Sequence, residues 1–349
     1  MSNTTVLRKL ALLMATGLAL GAGSAAAGDG GKHEGKARFC STTAELLFQA
    51  CRASSTDDLL VANAKCTNVS LKRERDDCFA AADETQQEDA KTCREQRNWR
   101  LDACALVGEG RYDPKFDAAG FDDPMSPAKP NPYFPLTVGN QWLFRSGEQE
   151  TTVTVLNETK LIDDVHCITV HDRVVTSGDL REDTNDWYAQ AKDGNTWYCG
   201  EETAVFESFD GDQPRRAELV TIDGSFKAGR AGDKPGIIFQ ASPKKGQTYL
   251  EEFSLANAED ITVILSTSYA FGRNPELDRF VPQALAERFC SAGDCVVTNN
   301  FSLLEPHVFG HKYYARGIGV FLELDPDSGE VEQLVSCNFD ARCAGLPTP

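Results

Sequence analysis

The sequence predicts an α+β protein: an N-terminal antiparallel helical hairpin laddered by disulfides, followed by a duplicated, mainly antiparallel β-sheet domain. Three observations predict it. Six cysteines from Cys40 to Cys104 fall at spacings of 11, 15, 12, 15 and 11, the same in both directions. From Pro132 onward the chain turns to short β-branched and aromatic runs punctuated by Asp-Gly dipeptides. Several of those runs recur in the same order about a hundred residues later.

The palindrome pairs Cys40 with Cys104, Cys51 with Cys93 and Cys66 with Cys78, all about one midpoint at residue 72. On a helix, 11 residues make about three turns and 15 slightly more than four, so the three cysteines of an arm stay within about 80° of one face. A rival turn near residue 85 would pair Cys78 with Cys93 and Cys66 with Cys104. It would leave Cys40 and Cys51 about 16 Å apart on a helix, beyond disulfide reach. Thr42 and Glu45 have capping-box spacing for the first arm, and Ser54 to Asp57 is expected to interrupt it. The second arm runs without Gly or Pro from about Leu71 to Leu106, with Thr85 and Glu88 as a further capping box.

Before the hairpin, residues 1–27 read as a signal peptide: Arg8 and Lys9, an apolar run from Leu10 to Leu20, then Ala25-Ala26-Ala27. The apolar run is too short for a membrane span, and no cysteine near the cleavage point offers a lipid anchor. Its removal leaves 33 basic against 53 acidic residues, a net charge of −20. Such a surface disfavours nucleic acid and anionic lipid. Export and an even set of 12 cysteines point to a disulfide-forming compartment, the periplasm or the medium outside. Residues 28–38 read as a flexible Gly/Lys tail, 39–107 as the hairpin, 108–131 as a Pro/Gly-rich linker, 132–336 as the β domain and 337–349 as a disulfide-closed tail.

In the β domain, Asp193-Gly194, Asp210-Gly211 and Asp223-Gly224 mark hairpin turns. Gly139-Asn140-Gln141-Trp142 recurs as Gly246-Gln247-Thr248-Tyr249, the run around Cys167 recurs around Cys295, and Trp187-Tyr188-Ala189-Gln190 recurs as Tyr313-Tyr314-Ala315-Arg316. The growing offset places an insertion in the second copy, at Pro275 to Gly293. The runs FPLTVGNQWLF, DWYAQAKDGNTWYCGE and HKYYARGIGVFLELD resemble exported bacterial proteins that join a Cys-bearing helical segment ending in GEGRYDP to a β domain. They are also similar in style to periplasmic lipid-handling proteins with a large curved sheet, a resemblance that implies fold and location.

No reactive constellation stands out. There is no G-x-S-x-G elbow, and no cofactor motif. His307 and His311 are four apart, but their aromatic and β-branched surroundings favour a strand or loop over a helical metal pair. Asp325 to Glu330 imitates the start of a calcium loop yet lacks its later ligands, which favours a turn. Cys290–Cys295 and Cys337–Cys343 suit disulfides better than zinc, leaving Cys167 and Cys199 to pair across neighbouring strands. No carboxylate pair can be singled out among 53 acidic residues.

The aromatic pairs Trp187-Tyr188, Trp197-Tyr198 and Tyr313-Tyr314 place one ring on each face of the sheet. The plain reading is packing in both layers. If one face is open, its rings make an apolar floor for a lipid, glycan or peptide. Three roles are therefore carried forward: a non-enzymatic binding or interaction protein, a secreted hydrolase with scattered carboxylates or serines, and a structural envelope component.

Overall fold

The computed structural model describes residues 38–348, and the proposed signal peptide and most of the Gly/Lys tail lie outside them. The described residues fall into two units, 38–112 and 113–348. The first is the hairpin: α1 (Phe39–Thr67) and α2 (Lys72–Val107) joined by four residues. Cys40–Cys104, Cys51–Cys93 and Cys66–Cys78 are bonded, with Cα–Cα distances of 5.7, 5.7 and 5.6 Å.

The seam between the arms is built from small side chains, with Ala44, Cys66, Ala82, Cys93, Ala103 and Cys104 buried. So thin a seam buries little apolar surface, and the covalent rungs hold what a Leu-rich seam would otherwise hold. Between the upper rungs, Arg97 forks onto Glu45 and its guanidinium lies 5.7 Å from the Phe48 ring. Two local expectations are corrected. α1 does not break at Ser54–Asp57, because Ser55 turns into the seam toward Asp89 and Thr56 bonds back to the Arg52 carbonyl at 2.9 Å. Both capping boxes are likewise overridden, Thr42 lying inside the first turn of α1 and Thr85 in the middle of an unbroken α2.

The second unit contains fifteen strands: β1 (Gln141–Ser146), β2 (Gln149–Ile162), β3 (Val165–Thr176), β4 (Asp179–Gln190), β5 (Thr196–Ser208), β6 (Ala217–Thr221), β7 (Phe226–Lys227), β8 (Lys234–Phe239), β9 (Thr248–Leu250), β10 (Glu252–Phe253), β11 (Asp260–Tyr269), β12 (Cys295–Ser302), β13 (Gly310–Ala315), β14 (Gly319–Leu324) and β15 (Val331–Cys337). All pairings are antiparallel, in the order β10-β8-β5-β4-β3-β2-β1-β15-β14-β13-β12-β11-β9, with β6 and β7 beside β5. The two ends of that order, β10 and β9, are one residue apart in the chain. Around Glu251 a single interrupted strand pairs first with β11 and then with β8, so the sheet closes into a barrel. The three Asp-Gly turns fall between β4 and β5, β5 and β6, and β6 and β7, each with its glycine at positive φ. Asp163-Asp164 and Ser177-Gly178 make two further two-residue hairpins with both residues at positive φ.

The repeat is visible in the register. Trp142 opposes Val153 as Tyr249 opposes Thr262, Val155 opposes Val170 as Ile264 opposes Thr298, and Ile168 opposes Tyr188 as Val296 opposes Tyr314. A bulge falls between Trp187 and Tyr188 in one half and between Tyr313 and Tyr314 in the other. Even the turns agree: Gly139 donates to the Val155 carbonyl at 2.9 Å and Gly246 to that of Ile264 at 2.8 Å. The insertion in the second half is α3 (Pro275–Asp278) and α4 (Gln283–Cys290), standing where the first half has the Asp163-Asp164 turn.

The outer face is covered in two places. Leu277, Leu285, Ala286 and Phe289 from α3 and α4 are buried, Phe289 lies 5.0 Å from the Phe321 ring, and Tyr313 donates to the Leu277 carbonyl at 2.6 Å. On the other half, Phe116 and Phe121 pack on Trp197, and residues 113–131 are laid along the β4–β5 hairpin. Cys167 and Cys199 are bonded, but from β3 to β5 with β4 between them, which corrects the expectation of neighbouring strands. Ala189 of β4, packed in the same cluster, takes little room between them. Cys290–Cys295 and Cys337–Cys343 complete the set, and no cysteine is free. Six disulfides indicate folding in an oxidising compartment. Among the described residues no helix is long and apolar enough to cross a membrane.

Candidate functional site

Strand periodicity sends alternate residues into the barrel, and the inward set is unusual in being both aromatic and acidic. A cavity of about 240 Å³ lies inside. Phe134, Pro135 and Leu136 line it from the segment leading into β1, with Trp142, Phe144, Val153, Val155, Val170, Tyr188, Ile238, Tyr314 and Val320 from the strands. Its polar lining is Thr151, Asp172, Asp186, Lys312, Glu323 and Glu332. A second cavity of about 200 Å³ shares Lys312, Glu323 and Glu332 and is lined further by Glu305, Val308, Phe309, Asp325 and Glu330 from the β12–β13 and β14–β15 connections.

The six aromatic residues divide between faces as strand geometry requires. Tyr188 and Tyr314 line the cavity, and Tyr198 stacks on Tyr188 with ring centroids 4.8 Å apart. Trp187 and Trp197 pack in the outer cluster under Phe121, and Tyr313 lies beneath α3. The inward face is the wall of the barrel, where the strand around Glu251 pairs with β11 on one side and β8 on the other, and the cavity it lines is partly open to solvent. The Asp325 segment is a turn, in which its Oδ1 accepts from the amides of Asp327 at 2.7 Å and Ser328 at 3.0 Å. His307 sits in a turn at positive φ and His311 is the second residue of β13; among the described residues no three His, Cys, Asp or Glu side chains gather into a metal-binding group.

The charged inner residues were not singled out by sequence reasoning. Asp186 on β4 opposes Glu201 on β5, and the Tyr198 hydroxyl bonds both, lying 3.1 Å from Glu201. One hydroxyl has one hydrogen, so a proton on either carboxyl completes the arrangement. Burial pushes Asp186 up to about 7 and Glu201 up to about 8, with their mutual repulsion adding to the latter. Burial also raises Asp172 well above the usual carboxylate range, followed by repulsion from Asp186, Glu182, Glu332 and Glu201. The Asp172 Oδ1 is buried without a hydrogen-bond partner. Glu332, raised by burial, accepts from the Thr151 hydroxyl at 2.6 Å. Lys312 is the cation of the set, 3.9 Å from Glu323, whose charge together with those of Glu251 and Asp260 keeps it protonated against burial.

A signal for this set does exist in the repeat. Aligning Tyr188 with Tyr314 aligns Asp186 with Lys312 two residues earlier, on the same face. Register then aligns Glu201, opposite Asp186, with Glu323, opposite Lys312. One half of the barrel thus holds a lysine–glutamate pair where the other holds two acids. Outside, Thr152, Arg173, Asp183 and Asn185 face away from this lining, a polar exterior opposite to that of a membrane-spanning barrel.

The class of protein these features define is a disulfide-bonded antiparallel β-barrel enclosing an aromatic and acidic cavity, joined to a stapled helical hairpin. No family model matches the chain, and neither the curated proteins nor the solved structures contain a match to it.

Proposed function

We propose that the protein is an exported, non-enzymatic binding protein of the bacterial envelope that takes a small, largely apolar molecule into its barrel. The observation that carries this reading is the 240 Å³ cavity, whose wall combines aromatic and aliphatic side chains with five charged groups. A mostly apolar wall with a few convergent polar groups is the general form of a small-molecule site. The lipid-like and glycan classes expected from the sequence both remain within the aromatic chemistry of Trp142, Tyr188 and Tyr314. Export fits the six disulfides and the Arg8–Ala27 signal pattern.

Trp142 is the tryptophan in the cavity wall, while Trp187 and Trp197 lie outside it. Titration of the full chain with short-chain alcohols and with small saccharides should therefore shift tryptophan emission for one class. Val153→Trp, which fills the cavity, should lower affinity for that class at least tenfold. Unchanged binding in a folded Val153→Trp protein would place the ligand elsewhere.

One arrangement favours the hydrolase alternative, namely the Asp186–Tyr198–Glu201 contact, since a raised carboxyl beside a second one is suited to proton transfer. On that reading a hydrolytic activity would fall at least a hundredfold in Asp186→Asn, whereas a binding protein would show no turnover to lose.

A further inference from the structure

The two halves of the barrel make the same lining with one difference that bears on the ligand. In the second half, Lys312 stands beside Glu323, and the position equivalent to Asp172 is Asn300. Asn300 is satisfied, its amide nitrogen donating to Glu251 at 2.9 Å and lying 2.7 Å from the Thr262 hydroxyl. In the first half the lysine's place is taken by Asp186 and the amide's by Asp172, whose Oδ1 is buried without a partner. Both line the cavity, and among the described residues no Lys or Arg other than Lys312 does. The first half thus presents acceptors where the second supplies its own ammonium.

We propose that the cavity selects an organic cation, a primary ammonium carried on a short apolar body, with the ammonium between Asp172 and Asp186 and the body against Trp142, Phe144, Val153 and Tyr188. This rests on the cavity being the binding site. The ammonium supplies the hydrogen that Asp172 Oδ1 lacks and reproduces in the first half the charge pairing that Lys312 and Glu323 make in the second. The aromatic and aliphatic side chains of the wall take the apolar body out of water and strengthen the charge pairing in a low-dielectric setting. A carboxylate-bearing ligand would meet Asp172, Asp186 and Glu332 instead, with Lys312 already committed to Glu323. A neutral alcohol would keep the apolar contacts and lose the charge.

Asp172 is faced by Glu182 and Asp186 from β4, Glu201 from β5 and Glu332 from β15, and Asp186 also by Lys312 from β13 and His171 from β3. Burial, and after it the crowding of acids, keeps protons on the lining when no cation is present, so uptake of an ammonium releases protons and strengthens as pH rises from 6 to 8.

The test is calorimetric titration of the full-length oxidised protein with hexylammonium, 1-hexanol and hexanoate at pH 7.5, in two buffers of different ionisation enthalpy. Hexylammonium should bind at least tenfold more tightly than 1-hexanol, with hexanoate weakest, and its heat should differ between buffers because protons leave. Asp172→Asn should lower hexylammonium affinity about tenfold and leave 1-hexanol within about twofold. Equal or tighter binding of 1-hexanol or hexanoate to the wild type would overturn the cation assignment while leaving the cavity as a site. Binding of none of the three would remove both readings. The wild-type ranking decides the matter even where Asp172→Asn fails to fold.

Discussion

At the scale of single residues, the acids inside the barrel carry a pH dependence whose sign is fixed by burial. Asp186 and Glu251 are pushed up to about 7 and Glu201 to about 8, and on unfolding they return to roughly 4. Between those limits the folded chain binds more protons than the unfolded one. Stability from these groups is fully present below about pH 4 and is lost as pH rises through 7 to 8. Thermal melts of the oxidised protein at pH 5.5, 7 and 8.5 should show the β-domain transition falling with pH. Asp186→Asn should raise it at both pH values, and by roughly 1–2 kcal/mol more at pH 8.5 than at pH 5.5, about 2–8 °C for a unit of this size. A transition that rises with pH would show these carboxyls ionised in the folded state. Such residues were hidden in the sequence because a carboxylate's burial depends on which strands face the lumen. Tyr188 and Tyr314 were visible because period-two alternation sorts rings to faces before any fold is known.

The helical hairpin shows which element-level information a sequence carries best. Cysteine spacing is a direct record of geometry, since helical rise fixes which residues can meet across a seam. Cap signals were less informative here: Ser55 and Thr56 find seam and back-bonding partners inside an unbroken α1. With so few large apolar residues in the seam, the bonds closing 64, 42 and 12 residues of separation should dominate hairpin stability. Chain-entropy estimates for single bonds of these sizes run from about 3 to 4.3 kcal/mol, and nested bonds do not add. Replacing Cys51 and Cys93 together by alanine should therefore cost roughly 2–4 kcal/mol, while loss of the Cys66–Cys78 pair should cost less. Helical ellipticity at 222 nm, followed through denaturant, reads this out, and mild reduction should melt the hairpin signal before the barrel's. A hairpin that keeps its midpoint without Cys51–Cys93 would mean that packing, not the rungs, holds it.

At the scale of the whole second unit, the repeat was legible in GNQW and GQTY and in WYAQ and YYAR, but barrel closure was not. Closure depends on one residue, Glu251, at which a strand changes partner from β11 to β8. No local pattern in EEF announces such a change, because propensity is the same whichever strand lies alongside. The closure leaves its trace instead in a glycine. A Cβ added to Gly236 of β8 would lie 2.0 Å from the Glu251 carbonyl oxygen, 2.3 Å from its carbonyl carbon and 2.8 Å from the Leu250 oxygen. These are backbone atoms, which cannot rotate aside as a side-chain tip would. Gly236→Ala should push β8 from the closing strand and cost roughly 2–4 kcal/mol, whereas Gly120→Ala, with nothing within 4 Å of its added carbon, should cost less than about 1 kcal/mol. Hydrogen exchange should localise the damage, with faster exchange across Lys234–Phe239 and Glu252–Phe253 and little change in β2 and β3. Because Ile238 of β8 lines the cavity, tryptophan-detected binding should weaken in the same variant. A Gly236→Ala protein with wild-type melting and exchange would mean that the two ends of the sheet are held apart, and that the lumen opens to solvent along β8.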